Sequence, residues 1–140
     1  QRELSKRRGG GRHGRDGNRA ARERPMRYMI LIYGKESDWA DVSPERIGEI
    51  MTAYQSYTEK LRSSGVLVSG DELDVVAKAK SVRGAGGSQV VDGPFVDTKE
   101  ALGGYYLIDV ANEAEALKWA KQCPAMLHNG GVEVRPVMVR

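Results

Sequence analysis

The sequence predicts an α+β fold: a ferredoxin-like βαββαβ sheet with an extra hairpin strand and two helices on one face. Three observations predict it. Apolar residues alternate with a period of two in residues 26–33 and 104–110. Two stretches, opening at Ser43 and Asn112, switch to the spacing of an amphipathic helix. Gly84-Ala85-Gly86-Gly87 and Gly93-Pro94 separate short strand-like runs between them. The order is therefore β-α-β, a hairpin strand pair, then β-α-β.

Residues 1–25 carry nine Lys/Arg against three Asp/Glu, and residues 26–140 carry thirteen against sixteen. The basic character belongs to a Gly/Arg-rich tail too polar to fold alone, expected to be disordered, and the domain 26–140 is mildly acidic. Nucleic acid is thus not an expected partner of the domain; only the tail has the charge to touch one. No run approaches eighteen apolar residues, so no membrane-spanning helix is expected. The tail has no apolar signal-peptide core, and Cys123 is the single cysteine, so a cytoplasmic protein without a disulfide is the expectation.

In the first strand Tyr28, Ile30 and Ile32 point one way and Met29, Leu31 and Tyr33 the other. Both sets are apolar, as in a strand covered on both sides. Ser43 is placed to cap the first helix, with Pro44 in its first turn and Glu45 at its positive end. Ile47, Ile50, Met51, Tyr54, Tyr57 and Leu61 form its expected buried stripe, and Gly65 ends it. A second strand begins at residues 66–68, and residues 70–74 read as irregular. Asn112 with Glu115 caps the last helix, whose core residues are expected to be Ala116, Leu117, Ala120 and Cys123. A final strand is expected over residues 132–139.

The chain is organised around residues 89–110. Pairing must stop near Asp92, because Pro94 lacks a donor and restricts Gly93. Asp97 with Glu100 reads as a capping box on one short helical turn, with Val96 and Ala101 as a hydrophobic staple and Gly103 as a left-handed C′ residue. Two helices can cover only one face of such a sheet. The apolar second face predicts a homodimer with sheets packed face to face, closing into a dimeric α+β barrel.

With Asp92-Gly93-Pro94-Phe95, Thr98-Lys99-Glu100 and Gly103-Gly104-Tyr105-Tyr106 in hand, the chain resembles the YCII-related family, and more closely its DGPF-domain branch. The resemblance extends from Met26-Arg27-Tyr28-Met29 through Gly65-Val66-Leu67 and Cys123-Pro124 to Val132-Glu133-Val134-Arg135-Pro136-Val137-Met138. It implies the dimeric α+β barrel superfamily. The wider family resembles a cofactor-free lactone dehalogenase, and some members carry a His-Asp pair. The aspartate matches Asp92; the histidine falls at about Tyr54, so the pair is incomplete. Branch members are often encoded beside extracytoplasmic-function sigma factors.

Each candidate residue has a sharp and a plain reading. Asp92 is a candidate general acid or base, or an aspartate accepting backbone N–H groups in the turn it starts. Tyr54 either donates to a substrate oxygen or is a core tyrosine. Tyr33, Phe95 and Tyr105 either contact a ligand or pack; strand alternation puts Tyr105 and Tyr106 on opposite faces, so at most one should share a pocket. Lys99 either holds an anion or decorates a self-capped turn. His128, alone in a loop, has no second ligand at metal spacing, and Cys123 reads as an inert buried thiol. No metal or cofactor is expected. The function expected is a small-molecule-binding protein acting as a cofactor-free lyase, isomerase or dehalogenase-like enzyme; the rival is a non-catalytic dimeric binding or accessory module linked to sigma-factor regulation.

Overall fold

The computed structural model describes residues 26–140; the tail 1–25 lies outside the described residues. Its elements are β1 (Met26–Gly34), α1 (Pro44–Ser63), β2 (Leu67–Glu72), β3 (Lys80–Arg83), β4 (Gln89–Asp92), β5 (Ala101–Val110), α2 (Glu113–Lys121) and β6 (Gly131–Pro136). Single 3₁₀ turns interrupt the loops, among them Glu36–Trp39 and Pro124–His128. The main sheet is antiparallel in the order β2-β5-β1-β6, and the hairpin β3-β4 forms a separate two-stranded sheet. This is the ferredoxin-like order with the hairpin inserted.

Local chemistry sets the helix ends as read. The Ser43 hydroxyl accepts from the Arg46 N–H at 3.1 Å, and the Asn112 side chain accepts from the Glu115 N–H at 3.0 Å. Gly65 takes φ +75° after α1. Gly93, at φ +108°, ends β4 at Asp92, and its N–H donates to the Ala79 carbonyl at 2.8 Å to close the hairpin base.

Several expectations change. The Asp97–Glu100 capping box, its helical turn and the Val96 staple do not form: the segment is a series of bends, Thr98 Oγ1 donates to the Glu100 carbonyl at 2.6 Å, and Val96 is exposed. One turn of helix cannot offset its own nucleation cost, whereas extending β5 back to Ala101 adds ladder bonds opposite Tyr33 and Gly34. Gly103 is no C′ residue; it is the extra residue where the register steps from Ile32↔Gly104 to Tyr33↔Leu102. Residues 70–72, read as irregular, belong to β2. A Cβ on Gly70 would meet Tyr106 Cδ1 at 2.7 Å and the Tyr105 carbonyl oxygen at 2.9 Å, so this glycine permits close approach and breaks nothing. β6 stops at Pro136, so residues 137–139 leave the ladder.

Tyr57 and Leu61 of α1, Ala116 and Ala120 of α2, and Cys123 and Ala125 pack on Tyr28, Ile30, Tyr106, Ile108 and Val110. Tyr57 donates to the Trp119 carbonyl at 2.8 Å and meets Tyr106 edge-on at 5.3 Å between centroids. Ile47, Met51 and Leu117, expected in the helix cores, are exposed at the margins of stripes narrower than their apolar content. Both helices lie on one side. The opposite face presents Met29, Leu31, Tyr105 and Leu107, paired across β1 and β5 and only partly buried.

Two glycine-to-alanine changes are expected to have opposite signs. Gly70→Ala forces Tyr106 off its rotamer and should lower stability by about 1–3 kcal/mol. Gly48→Ala, in α1 with nothing within 4 Å of the new methyl, should raise it by about 0.5–1 kcal/mol. Urea denaturation midpoints of the two variants check this.

Candidate functional site

Where β1 and β2 end and β5 begins, α1 stands away from the strands and leaves a cavity of about 830 Å³. Tyr54 and Thr58, one turn apart on α1, form one wall; Ile32 and Tyr106 come from the helix-facing side of the sheet. Tyr33 and Tyr105 come from its other side, because the cavity opens around the strand ends. Tyr105 and Tyr106 therefore share it, contrary to the expectation from alternation alone. The Tyr106 hydroxyl lies 2.7 Å from Thr58 Oγ1 and holds that wall in place.

The far end of the cavity is closed by His128. The 3₁₀ turn Pro124–His128 carries it, and Asn129 at φ +62° turns the chain back toward β6. Gly130 is required beneath it: a Cβ there would sit 2.5 Å from the Tyr33 carbonyl oxygen and 3.0 Å from His128 Cε1. The imidazole Nε2 lies 2.7 Å from the Tyr54 hydroxyl, and the Trp39 ring stacks at 4.8 Å between centroids, tilted by 36°. His128 Nδ1 is buried and has no hydrogen-bond partner among the described residues.

Burial pushes the His128 pKa below its ordinary value, against the opposing pull of its own backbone carbonyl, which lies outside hydrogen-bond geometry, and of Asp38, so the ring is neutral at physiological pH. Burial, together with Cys123, Tyr106 and the Glu72 carboxylate, pushes the Tyr54 hydroxyl well above the usual phenol range, so it keeps its proton. An orphaned N–H donor costs about 1–3 kcal/mol, and a bare lone pair costs less. We therefore assign the imidazole hydrogen to Nε2, donated to the Tyr54 oxygen, with Nδ1 as the lone pair. Tyr54 then has its own O–H free to donate into the cavity. Cys123 beneath it is buried, and burial raises its pKa, which makes it a poor nucleophile.

Of the residues singled out in the sequence, Tyr33, Tyr54 and Tyr105 line this cavity. Asp92 does not. It ends β4 opposite Lys80, forms an ion pair with the Lys80 ammonium, and its side chain is 84% exposed. Phe95 is exposed, with the Arg83 guanidinium 3.8 Å over its ring. Lys99 lines a separate, shallower hollow of about 460 Å³ with Lys35 and Thr98. His128, Trp39 and Glu72, which the cavity does bring together, carry no local signal: Tyr54 and His128 are 74 residues apart in the chain. Among the described residues no group of His, Cys, Asp and Glu is arranged to hold a metal ion, and no helix is long and apolar enough to cross a membrane.

Residues 26–139 match the YCII-related domain family. The chain is also 36% identical over 114 residues to an uncharacterized protein of Rhizobium meliloti (strain 1021), a span covering 80% of this chain and 92% of that protein.

The neutral His128 gives the fold a pH-dependent stability. The unfolded imidazole protonates near 6.5 and the folded one at a lower pH, so the unfolded chain binds the extra proton first. This contribution is complete above pH 6.5 and is lost as pH falls from there to the folded pKa. The denaturant midpoint should fall between about pH 7.5 and about pH 5.5, and His128→Gln should reduce that fall.

Proposed function

The chain belongs to the YCII-related family across residues 26–139, and from that premise we propose that it is a small-molecule-binding protein catalysing cofactor-free proton transfer, of the isomerase or lyase kind. The observation that carries this reading is the Tyr54 hydroxyl, 2.7 Å from His128 Nε2 on the wall of a cavity large enough for a metabolite. Tyr54 donates its O–H in a hydrogen bond to a substrate carbonyl oxygen and stabilises the charge that grows there as the proton of a neighbouring C–H bond passes to solvent water at the cavity mouth. His128, hydrogen-bonded behind it, donates Nε2–H to the Tyr54 oxygen and so orients the hydroxyl toward the substrate. In this arrangement a tyrosine on α1 and a histidine from the loop after α2 stand where the family resemblance implied a helix histidine. The Asp92-Gly93-Pro94-Phe95 sequence supports assignment to the DGPF branch. Asp92 has the role of a cross-strand ion-pair partner in the protomer.

The active form in this reading is a homodimer. Met29, Leu31, Tyr105 and Leu107 make an apolar centre on the uncovered sheet face. The ion pairs Arg27–Asp109 and Glu133–Arg135 form a charged rim around it, the layout of a protein interface. Val82, Val90 and Val91 on the hairpin are exposed as well, and a two-stranded ribbon is marginal without a neighbour. The same surface favours the second reading, a non-catalytic dimeric binding module.

Screening carbonyl compounds for protein-dependent deuterium uptake in D₂O separates the two. For a compound that exchanges, Tyr54→Phe is expected to lower the rate about 10²-fold or more, and Asp92→Asn to change it less than about twofold. Equal loss in Asp92→Asn returns the proton transfer to that aspartate, and no exchange with any compound leaves the binding module. Sedimentation equilibrium at micromolar concentration is expected to give a dimer, and Leu107→Glu a folded monomer; a wild-type monomer removes the dimer.

A further inference from the structure

The charge on the cavity wall narrows the chemistry of its ligand, provided the small-molecule reading holds. Five carboxylates line the cavity, Glu36, Glu59, Asp71, Glu72 and Asp74, against two cations, Lys35 and Arg62, a net charge of −3. Most of these groups are engaged. Arg62 holds Glu59 at 2.6 Å and Lys78 holds Asp74 at 2.9 Å. Glu36 accepts the Val76 N–H at 2.8 Å, and Asp71 accepts the Tyr105 hydroxyl at 3.3 Å. Glu72 alone of the five has neither a hydrogen-bond nor an ion-pair partner among the described residues, and it lines the same cavity as Tyr54.

The wall also carries five aromatic rings. Trp39, Tyr33, Tyr54, Tyr105 and Tyr106 all line the same space. The faces of such rings carry partial negative charge and attract cations, most strongly when water is excluded. A carboxylate-bearing guest would meet this surplus of negative charge and the electron-rich rings together. An ammonium would find Glu72 as its counter-charge and the rings as its cover, which offsets its desolvation. We infer that the ligand of this cavity bears a positively charged amine or quaternary ammonium group on a small apolar body, with Glu72 as its ion-pair partner.

Three probes of one shape test this: phenethylammonium, 2-phenylethanol and 3-phenylpropanoate, titrated at low salt while the Trp39 indole N–H is followed by NMR. The ammonium is expected to bind about tenfold or more tightly than the alcohol, and the carboxylate more weakly than either. Glu72→Gln, at an exposed position that does not support the core, should bring the ammonium to within about threefold of the alcohol and leave the alcohol unchanged. The inference is overturned if the carboxylate binds as tightly as the ammonium, or if Glu72→Gln keeps the preference. Should the alcohol bind with no ammonium preference, the charge inference alone fails. If none of the three moves the Trp39 signal, the cavity reading fails with it.

Discussion

The structure depends on how Tyr106 is held. Its ring lies against Gly70 of β2, meets Tyr57 edge-on at 5.3 Å, and its hydroxyl bonds Thr58 at 2.7 Å. One side chain on a central strand thus fixes an edge strand on one side and the long helix on the other. Because Thr58 and Tyr54 are one helical turn apart, the same contact decides where Tyr54 stands. Tyr57, between them, is turned into the core and bonded to Trp119 of the second helix. A single turn of α1, from Tyr54 to Thr58, therefore serves both the core packing and the cavity wall.

The cavity follows from that anchor and from a mismatch in lengths. α1 crosses the sheet, but beyond Tyr106 the small residues Gly103 and Gly104 leave β5 without bulk to fill the space beneath the helix. The void is bordered instead by the ends of loops, which is where polar groups can gather without disturbing the core. His128 arrives on a short 3₁₀ turn that only Asn129 and Gly130 allow to double back so tightly. Its buried Nδ1 has no hydrogen-bond partner among the described residues.

The two faces of the sheet show different economies. The helix face is complete within one chain, with Ile30, Ile108 and Leu61 fully buried. The outer face is apolar in the middle and charged at the rim, and among the described residues nothing lies against it. The hairpin β3-β4, with its exposed valines, sits apart from both and carries Asp92 out to solvent.

Periodicity and caps were enough to read the strand and helix order, the helix starts at Ser43 and Asn112, the stop at Gly93-Pro94 and the apolar second face of β1. Those are local properties, encoded within a few residues. Where two local signals competed, the sequence could not rank them: Asp97–Glu100 looked like a capping box and Gly103 like a helix end, yet both lost to ladder bonds supplied by β1. Gly70 looked like a breaker because the ring it accommodates lies on another strand. The candidate site was legible only in part. Tyr33, Tyr54 and Tyr105 could be nominated from their own neighbourhoods, but their partner His128 could not, since the chain brings it to Tyr54 across 74 residues and through a turn whose direction only the packed fold dictates. Alternation and capping are fixed by backbone geometry that each residue carries with it, whereas a hydrogen bond between distant side chains exists only after every intervening element has found its place.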